Sequence, residues 1–243
     1  MRTPGRKPTS RLSFHQYDDA VFREMLDRNG YVYMDDVPEG FGHVEFFEAF
    51  GELLPQYAGE QIWSVKAEAR FEDMYHSLNT RPLMPHTECY EFPGAAPRYL
   101  GLWCLVPAED GGGQTTLADF RPFLDELTPD EFRLLTQKQY EFISADGVRS
   151  MDLGRTAVHP MYEERADAPP ILRFSYNCVE HQDDPFLLDI RERMVKFFEQ
   201  NHVAVDIQRN ALLLWNNHRM LHARTGYTDA RRHLRRVWIA DPA

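Results

Sequence analysis

Short apolar segments of strand length, separated by turn residues, dominate this sequence from residue 84 onward. Seven such segments occupy residues 84–91, 98–106, 114–119, 139–143, 171–176, 211–215 and 234–239. Turn-forming residues stand between them, as in Pro93-Gly94 and the glycine run 111–113. Many short strands with few helices predict a mainly β fold with flanking α-helices, organised as a double-sheet barrel such as a jelly roll.

A small number of helices is expected around these strands. Residues 18–29 have a helical apolar stripe, with Asp18 as a capping residue and Gly30 as a stop signal. Further helices are predicted over 44–50, after Thr128, and over 186–200. Residues 31–34 are predicted to form a strand, whereas the segment 54–82 follows neither period and was interpreted as a region that can contain a mobile lid.

The chain is expected to form one domain. It has 243 residues, a length that suits one barrel or two small domains, and it contains no internal repeat and no long linker rich in Gly, Ser or Pro. The first residues are basic and lack an apolar stretch behind them, so they do not form a secretory signal. We therefore predict a flexible tail over residues 1–11 and a single domain over residues 12–243.

Charge and cysteine usage limit the partners and the location. The 38 acidic side chains exceed the 27 basic ones, for a net charge of −11, which argues against a nucleic-acid partner. No window approaches roughly 18 uninterrupted apolar residues, so no membrane-spanning helix is predicted. The three cysteines, at 89, 104 and 178, have no CxxC spacing and fit a reducing cytoplasm rather than a disulfide framework.

The sequence His86-Thr87-Glu88 is the main candidate for chemistry. In a strand, residues i and i+2 point to the same face, so His86 and Glu88 would present an imidazole and a carboxylate side by side. His222 is a second imidazole, far downstream at the end of an apolar strand and a polar turn. Two histidines and one carboxylate on one face of a metal are typical of non-haem Fe(II) oxygenases. The alternative is that this HxE spacing arises by chance.

A basic run near the C-terminus predicts an anion site. Strand alternation places Arg232, Leu234, Arg236 and Trp238 on one face, and a face that carries Leu and Trp is expected to point inward. Buried arginines need anionic partners, and the planar guanidinium suits a carboxylate. The alternative is a solvated basic surface.

Taken together, these motifs resemble the taurine dioxygenase (TauD/TfdA) family of Fe(II)/2-oxoglutarate-dependent oxygenases. The resemblance extends over most of the chain from about Asp18 onward. The residues that carry it are 85–90 (PHTECY), 97–108 (PRYLGLWCLVPA), 111–119 (GGGQTTLAD), 215–224 (WNNHRMLHAR) and 232–236 (RHLRR). Most members have Asp where Glu88 stands, and Glu is typical of the clavaminate synthase-like branch, whose members often hydroxylate amino acids. The implied fold is a double-stranded β-helix, or jelly roll.

The resemblance implies a role for each matching residue. His86, Glu88 and His222 match the iron ligands, and Arg232 matches the arginine that binds the distal carboxylate of 2-oxoglutarate. Thr115 matches the threonine that assists this arginine, with Thr116 as the second choice.

A further group of residues is expected to bind the substrate or to support the site. Arg236 matches an arginine that meets the anionic group of the substrate, and Asn217 matches a supporting asparagine. Asn79 and Arg81 precede the metal motif and can reach the substrate, and Tyr90 is expected to share the face of His86 and line the pocket.

The implied activity is oxidation of an unactivated C–H bond, most often hydroxylation, with Fe(II), 2-oxoglutarate and O2 as cofactor and co-substrates and succinate and CO2 as products. The substrate is expected to be a small anionic molecule, such as an amino acid or a biosynthetic intermediate of secondary metabolism. Because a carboxylate occupies position 88, halogenation is not expected. Two alternatives stay open: a cupin-like Zn or Mn hydrolase or isomerase, and a non-catalytic ligand-binding barrel. The sequence does not fix the oligomeric state, with a homodimer as one option.

Overall fold

The computed structural model describes residues 10–180 and 183–241. In this part of the chain the strands are β1 Arg11–Ser13, β2 Tyr31–Asp35, β3 Leu53–Leu54, β4 Ile62–Lys66, β5 Leu83–His86, β6 Tyr99–Val106, β7 Thr115–Asp119, β8 Gln139–Ile143, β9 Thr156–Pro160, β10 Tyr162–Glu163, β11 Ile171–Leu172, β12 Val179–Glu180, β13 Val203–Val205, β14 Leu212–Asn216, β15 Met220–Arg224 and β16 His233–Ile239. The helices are α1 Asp19–Asn29, α2 His43–Glu48, α3 Arg121–Leu124, α4 Pro129–Gln137, α5 Asp146–Arg149 and α6 Pro185–Asn201.

Two sheets form the body of the fold. The larger has seven strands in the order β1-β2-β14-β6-β16-β3, with β4 also paired to β16, and the smaller has the order β13-β7-β15-β5. One apolar cluster contains Leu213 and Trp238 from the larger sheet together with Leu117 and Met220 from the smaller one. The core therefore lies between the two sheets, and the prediction of a mainly β, double-sheet fold is confirmed.

The predicted helices are present, and their ends follow local chemistry. The Asp18 carboxylate accepts a hydrogen bond from the Val21 amide at 3.0 Å and caps α1, which ends where Gly30 adopts φ 80°. Thr128 and Glu131 form a capping box at the start of α4. No helix in residues 10–180 and 183–241 is long and apolar enough to cross a membrane.

The N-terminal boundary differs from the prediction of a tail over residues 1–11. Residues 1–9 lie outside the described residues, but Ser10 is fully buried and Arg11 begins β1. This strand pairs in parallel with β2, placing Arg11 opposite Tyr33, and the Arg11 guanidinium forms an ion pair with Asp35. The basic composition of this segment concealed a strand whose charged side chain has an acidic partner.

The segment 54–82 contains structure that the sequence pattern did not indicate. Residues 62–66 form β4, an edge strand of the larger sheet, and Phe71 and Leu78 are buried in the core cluster. Residues 72–82 have no regular structure but pass over the space between the two sheets, where Tyr75, His76 and Ser77 line a cavity.

Close packing of β6 against α2 gives a test of the fold. A Cβ added at Gly101 would stand 2.5 Å from the Phe47 ring, so Gly101→Ala forces the ring or the strand to move. We expect the free energy of unfolding to fall by about 1–3 kcal/mol in urea titrations followed by circular dichroism. The control is Gly94→Ala, where an added Cβ meets nothing within 4 Å and the change is expected to stay below about 0.5 kcal/mol. Equal unfolding midpoints for the two variants would contradict this packing.

Candidate metal centre and its cavity

Two histidines meet on neighbouring strands of the smaller sheet. His222 lies in β15, directly opposite His86 at the end of β5, and the two ring centroids are 4.2 Å apart. As the sequence predicts, a turn over residues 217–219 precedes His222, and residues 220–224 form a strand between β5 and β7. The Trp215 ring packs 5.2 Å from His222 and encloses it on another side.

Glu88 lies next to these two histidines because of a turn, and not because of the strand alternation that the sequence predicted. The strand ends at His86, and Cys89 adopts φ 59°, so His86 and Glu88 are not neighbours on one strand face. Asn217 holds the turn in place, because its Oδ1 accepts a hydrogen bond from the Glu88 amide at 2.7 Å. The Asn217 Nδ2 donates to the Glu88 carbonyl at 3.1 Å and to the Pro97 carbonyl at 3.0 Å.

The three side chains form a compact set of possible metal ligands. One donor atom from each of His86, Glu88 and His222 lies within 4.8 Å of the others, and the His222 Nε2 is 3.6 Å from the Glu88 Oε2. The His86 Nδ1 is 2.8 Å from the Met84 carbonyl, so Nδ1 carries the hydrogen and donates it to that oxygen. The lone pair of the ring is then on Nε2, where it can bind a metal. The predicted ligand set is therefore brought together.

The charge state of the centre suits a divalent cation. Burial, and then the neighbouring His222, lowers the pKa of His86 to about 3, so this imidazole is neutral at pH 7. Burial alone would raise the pKa of Glu88, but the Arg236 guanidinium and the two histidines outweigh it and lower that pKa to about 2. A neutral imidazole and an ionised carboxylate are the forms that bind metals.

Two buried arginines stand beside the centre, as the alternation in β16 predicted. The side chain of Arg236 donates from Nη1 to the Glu88 Oε1 at 2.7 Å and from Nε to the Gln56 Oε1 at 2.9 Å. Arg232 donates from Nη2 to the Gly113 carbonyl at 2.7 Å. The Arg232 Nη1 and the Arg236 Nη2 are buried and have no hydrogen-bond partner among the described residues. Each is a donor available to an anionic ligand.

A cavity between the two sheets connects these groups. The three candidate ligands and both arginines line it, together with Tyr57, Val65, Tyr75, His76, Ser77, Leu83, Cys89, Tyr90, Glu91, Leu100, Leu102, Thr115, Ala145, Val148, Trp215, Ala223, Arg224 and Leu234. Thr115 and Tyr90 both line this cavity. Thr116, the second choice for the threonine, is absent from this wall.

Asn79 and Arg81 do not reach the cavity, which corrects their assignment as substrate-binding residues. The Asn79 amide donates to the carbonyls of Phe71 and Met74, and its Oδ1 accepts from the Arg224 guanidinium. Arg81 is exposed and pairs with Asp73. Nearness to His86 in the sequence was misleading, because the Asn79 side chain bonds to the main chain of its own loop and the Arg81 side chain is exposed.

Sequence reasoning missed several residues that line the cavity or support its wall. Gln56 fixes the orientation of Arg236, and Glu91 and His76 are buried polar groups that line the cavity. Only Glu91 carried a signal that could have been read, namely a second acidic residue three positions after Glu88. His218 forms a hydrogen bond from its Nε2 to the Ala96 carbonyl at 2.8 Å and is not part of the candidate ligand set.

Comparisons with known proteins place the chain among related folds. A family model described as "Taurine catabolism dioxygenase TauD, TfdA family" matches residues 4–238. An asparagine oxygenase solved with Fe(II), 2S,3S-3-hydroxyasparagine and succinate is 17% identical, with a TM-score of 0.75 over 94% of this chain and 81% of that chain. No curated protein matches the sequence.

A second similar structure is the non-heme iron oxygenase OrfP. Its complex with Fe, succinate and (3S)-hydroxy-L-Arg is 18% identical, with a TM-score of 0.71 over 93% of this chain and 82% of that chain. Its complex with Fe and alpha-ketoglutaric acid is 20% identical, with a TM-score of 0.69 over 91% and 78% of the two chains. These likenesses confirm the double-stranded β-helix predicted from the sequence.

The contacts of Asn217 generate a prediction about the centre. Asn217→Ala removes three buried hydrogen bonds and frees the turn that carries Glu88, so we expect the affinity for Co(II), followed by absorption spectroscopy, to fall at least about tenfold. The free energy of unfolding should fall by about 1–3 kcal/mol. Asn201→Ala, at the exposed end of α6, is the control. A folded Asn217→Ala protein with unchanged Co(II) affinity would show that this turn does not set the metal site.

Proposed function

The chain belongs to the TauD/TfdA family of dioxygenases, and from that premise we propose that it is an Fe(II)- and 2-oxoglutarate-dependent dioxygenase that hydroxylates a small anionic substrate. The observation that carries the proposal is the convergence of His86, Glu88 and His222 beside two buried arginines with unpaired donors. Two buried arginines with free donors suit an enzyme that binds two anions, namely a dicarboxylate co-substrate and an anionic substrate.

In this proposal His86, Glu88 and His222 are the metal ligands. The hydrogen bond from His86 to the Met84 carbonyl fixes its tautomer, and Asn217 fixes the main chain of Glu88. When bound, Fe(II) supplies the redox chemistry by which O2 and 2-oxoglutarate hydroxylate a C–H bond, with succinate and CO2 as the other products. The protein contributes the ligand geometry and a buried cavity around the reacting groups.

Arg232 and Thr115 are proposed to hold the distal carboxylate of 2-oxoglutarate. Arg232 is 4% exposed, and its guanidinium is fixed by the Gly113 carbonyl and by the face of the Tyr227 ring, 5.1 Å from the ring centroid. Burial is costly for a guanidinium without a counter-charge, and the free Nη1 can donate to a carboxylate. The co-substrate thereby supplies the missing anion.

Arg236 is proposed to bind the anionic group of the substrate. The Arg236 Nε donates a hydrogen bond to Gln56, and its Nη1 donates to Glu88. These two contacts fix the orientation of the guanidinium and therefore of its unpaired Nη2. The substrate would then lie next to the candidate metal ligands, which is where hydroxylation requires it. The hydroxylated amino acids in the asparagine oxygenase and OrfP structures support an amino acid as the substrate.

The cellular setting is proposed from composition and cysteine state. The three cysteines are free and buried, which fits the reducing cytoplasm, and the acidic balance fits a small molecule rather than a nucleic acid as partner.

The role of Arg232 is tested against its exposed neighbour. Arg232→Ala should raise the KM for 2-oxoglutarate at least about tenfold, because a charge-assisted hydrogen bond is lost. The measurement is Fe(II)-dependent succinate formation without an added substrate. The control is Arg231→Ala, since Arg231 is exposed and pairs with Asp229 and Glu109. Equal KM values for the two variants would remove Arg232 from the co-substrate site.

The role of Glu88 is tested by removing its charge. Glu88→Gln and Glu88→Ala should both lose Fe(II)-dependent succinate formation and retain little iron after dialysis, while circular dichroism reports whether each is folded. Glu109→Gln, which removes an exposed carboxylate, is the matched control. Activity in a folded Glu88 variant near that of the unmodified protein would exclude Glu88 as a ligand.

A further inference from the structure

Glu91 is a buried carboxylate in the cavity wall that the proposed chemistry does not use. Its exposed fraction is 4%, and it lies three residues after Glu88 but outside the set of candidate metal ligands. One of its oxygens, Oε1, accepts a hydrogen bond from the Ser144 hydroxyl at 3.0 Å. Glu91 is therefore a buried carboxylate in the wall of the space where a substrate would bind.

The protein leaves this charge without a cationic partner. Within residues 10–180 and 183–241, Glu91 forms no ion pair, and Arg155 acts on it only at longer range, with its guanidinium over the Phe92 ring. Burial, with a further contribution from Glu88, raises the pKa of Glu91 to about 6. Burying a carboxylate without a cationic partner is unfavourable, and such groups are concentrated at functional sites.

The position of Glu91 relative to Arg236 indicates what the missing partner is. Glu91 and Arg236 line the same cavity as Tyr57 and Cys89, and both are almost fully buried. A buried carboxylate and a buried guanidinium are thus part of one cavity wall.

We propose that Glu91 binds a protonated nitrogen of the substrate and selects for a zwitterion whose carboxylate is held by Arg236. The inference rests on the proposed function, because it places the substrate in the cavity beside the candidate metal ligands. Glu88 already pairs with Arg236 and belongs to the candidate ligand set, so Glu91 is the carboxylate available to a cationic group of the substrate. The nitrogen can be an α-ammonium or a side-chain ammonium, and the two are separable by experiment.

The test uses four probes with the same six-carbon chain: hexanoate, L-norleucine, 6-aminohexanoate and L-lysine. Their affinities are measured by anaerobic calorimetry on protein loaded with Fe(II) and 2-oxoglutarate. We expect at least one ammonium-bearing probe to bind at least about tenfold more tightly than hexanoate. Preference for L-norleucine identifies the α-ammonium, and preference for 6-aminohexanoate identifies the side-chain ammonium. If no ammonium-bearing probe binds more tightly than hexanoate, the proposal is wrong.

Glu91→Gln then assigns the preference to this residue, since glutamine keeps the size and the acceptor for Ser144 but removes the charge. The ratio of affinities between the preferred probe and hexanoate should fall at least about tenfold in Glu91→Gln and change less than about threefold in Glu109→Gln, which removes an exposed carboxylate outside the cavity. An unchanged ratio in Glu91→Gln would overturn the inference. Loading of the unmodified protein with Fe(II) and 2-oxoglutarate is measured first, so that failure of the proposed function is recognised separately, as failure to bind the co-substrate.

Discussion

The ion pair between Arg236 and Glu88 joins the two sheets at the centre of the fold. Arg236 belongs to β16 of the larger sheet, whereas Glu88 follows β5 of the smaller sheet, and their side chains meet at 2.7 Å with both almost fully buried. Removing one partner from such a pair typically costs about 3–5 kcal/mol because the other charge is left without compensation. The pair holds Glu88 ionised and aimed at His86 and His222, so the candidate metal centre depends on it.

A second arginine fixes the loop that covers the cavity. Arg224 stands two residues after His222 on the same strand face, and its guanidinium donates to the carbonyls of Ser77, Asn79 and Arg81. These contacts hold residues 77–81 against β15, which keeps Ser77 in the cavity wall. The same strand thus supplies a candidate metal ligand, His222, and the anchor of this loop, Arg224.

Local patterns in the sequence predicted the parts of the structure that local physics determines. Capping at Asp18, the inward alternation of Arg232 and Arg236, and the HxE motif all survive in the structure. What failed depended on contacts distant in sequence. The i, i+2 argument for Glu88 missed the turn that Asn217 stabilises across 129 positions, and Asn79 turned inward to serve the loop rather than the substrate. Periodicity cannot report which side of a loop faces a cavity.

The central claim is that one cavity binds a ferrous ion and a dicarboxylate together. The most direct measurement is the absorption spectrum of the metal-free protein on anaerobic addition of Fe(II) and then 2-oxoglutarate. The account predicts a visible charge-transfer band that appears only when both are present and that saturates at one equivalent of each. Folded protein that binds iron but develops no such band with 2-oxoglutarate would contradict the claim.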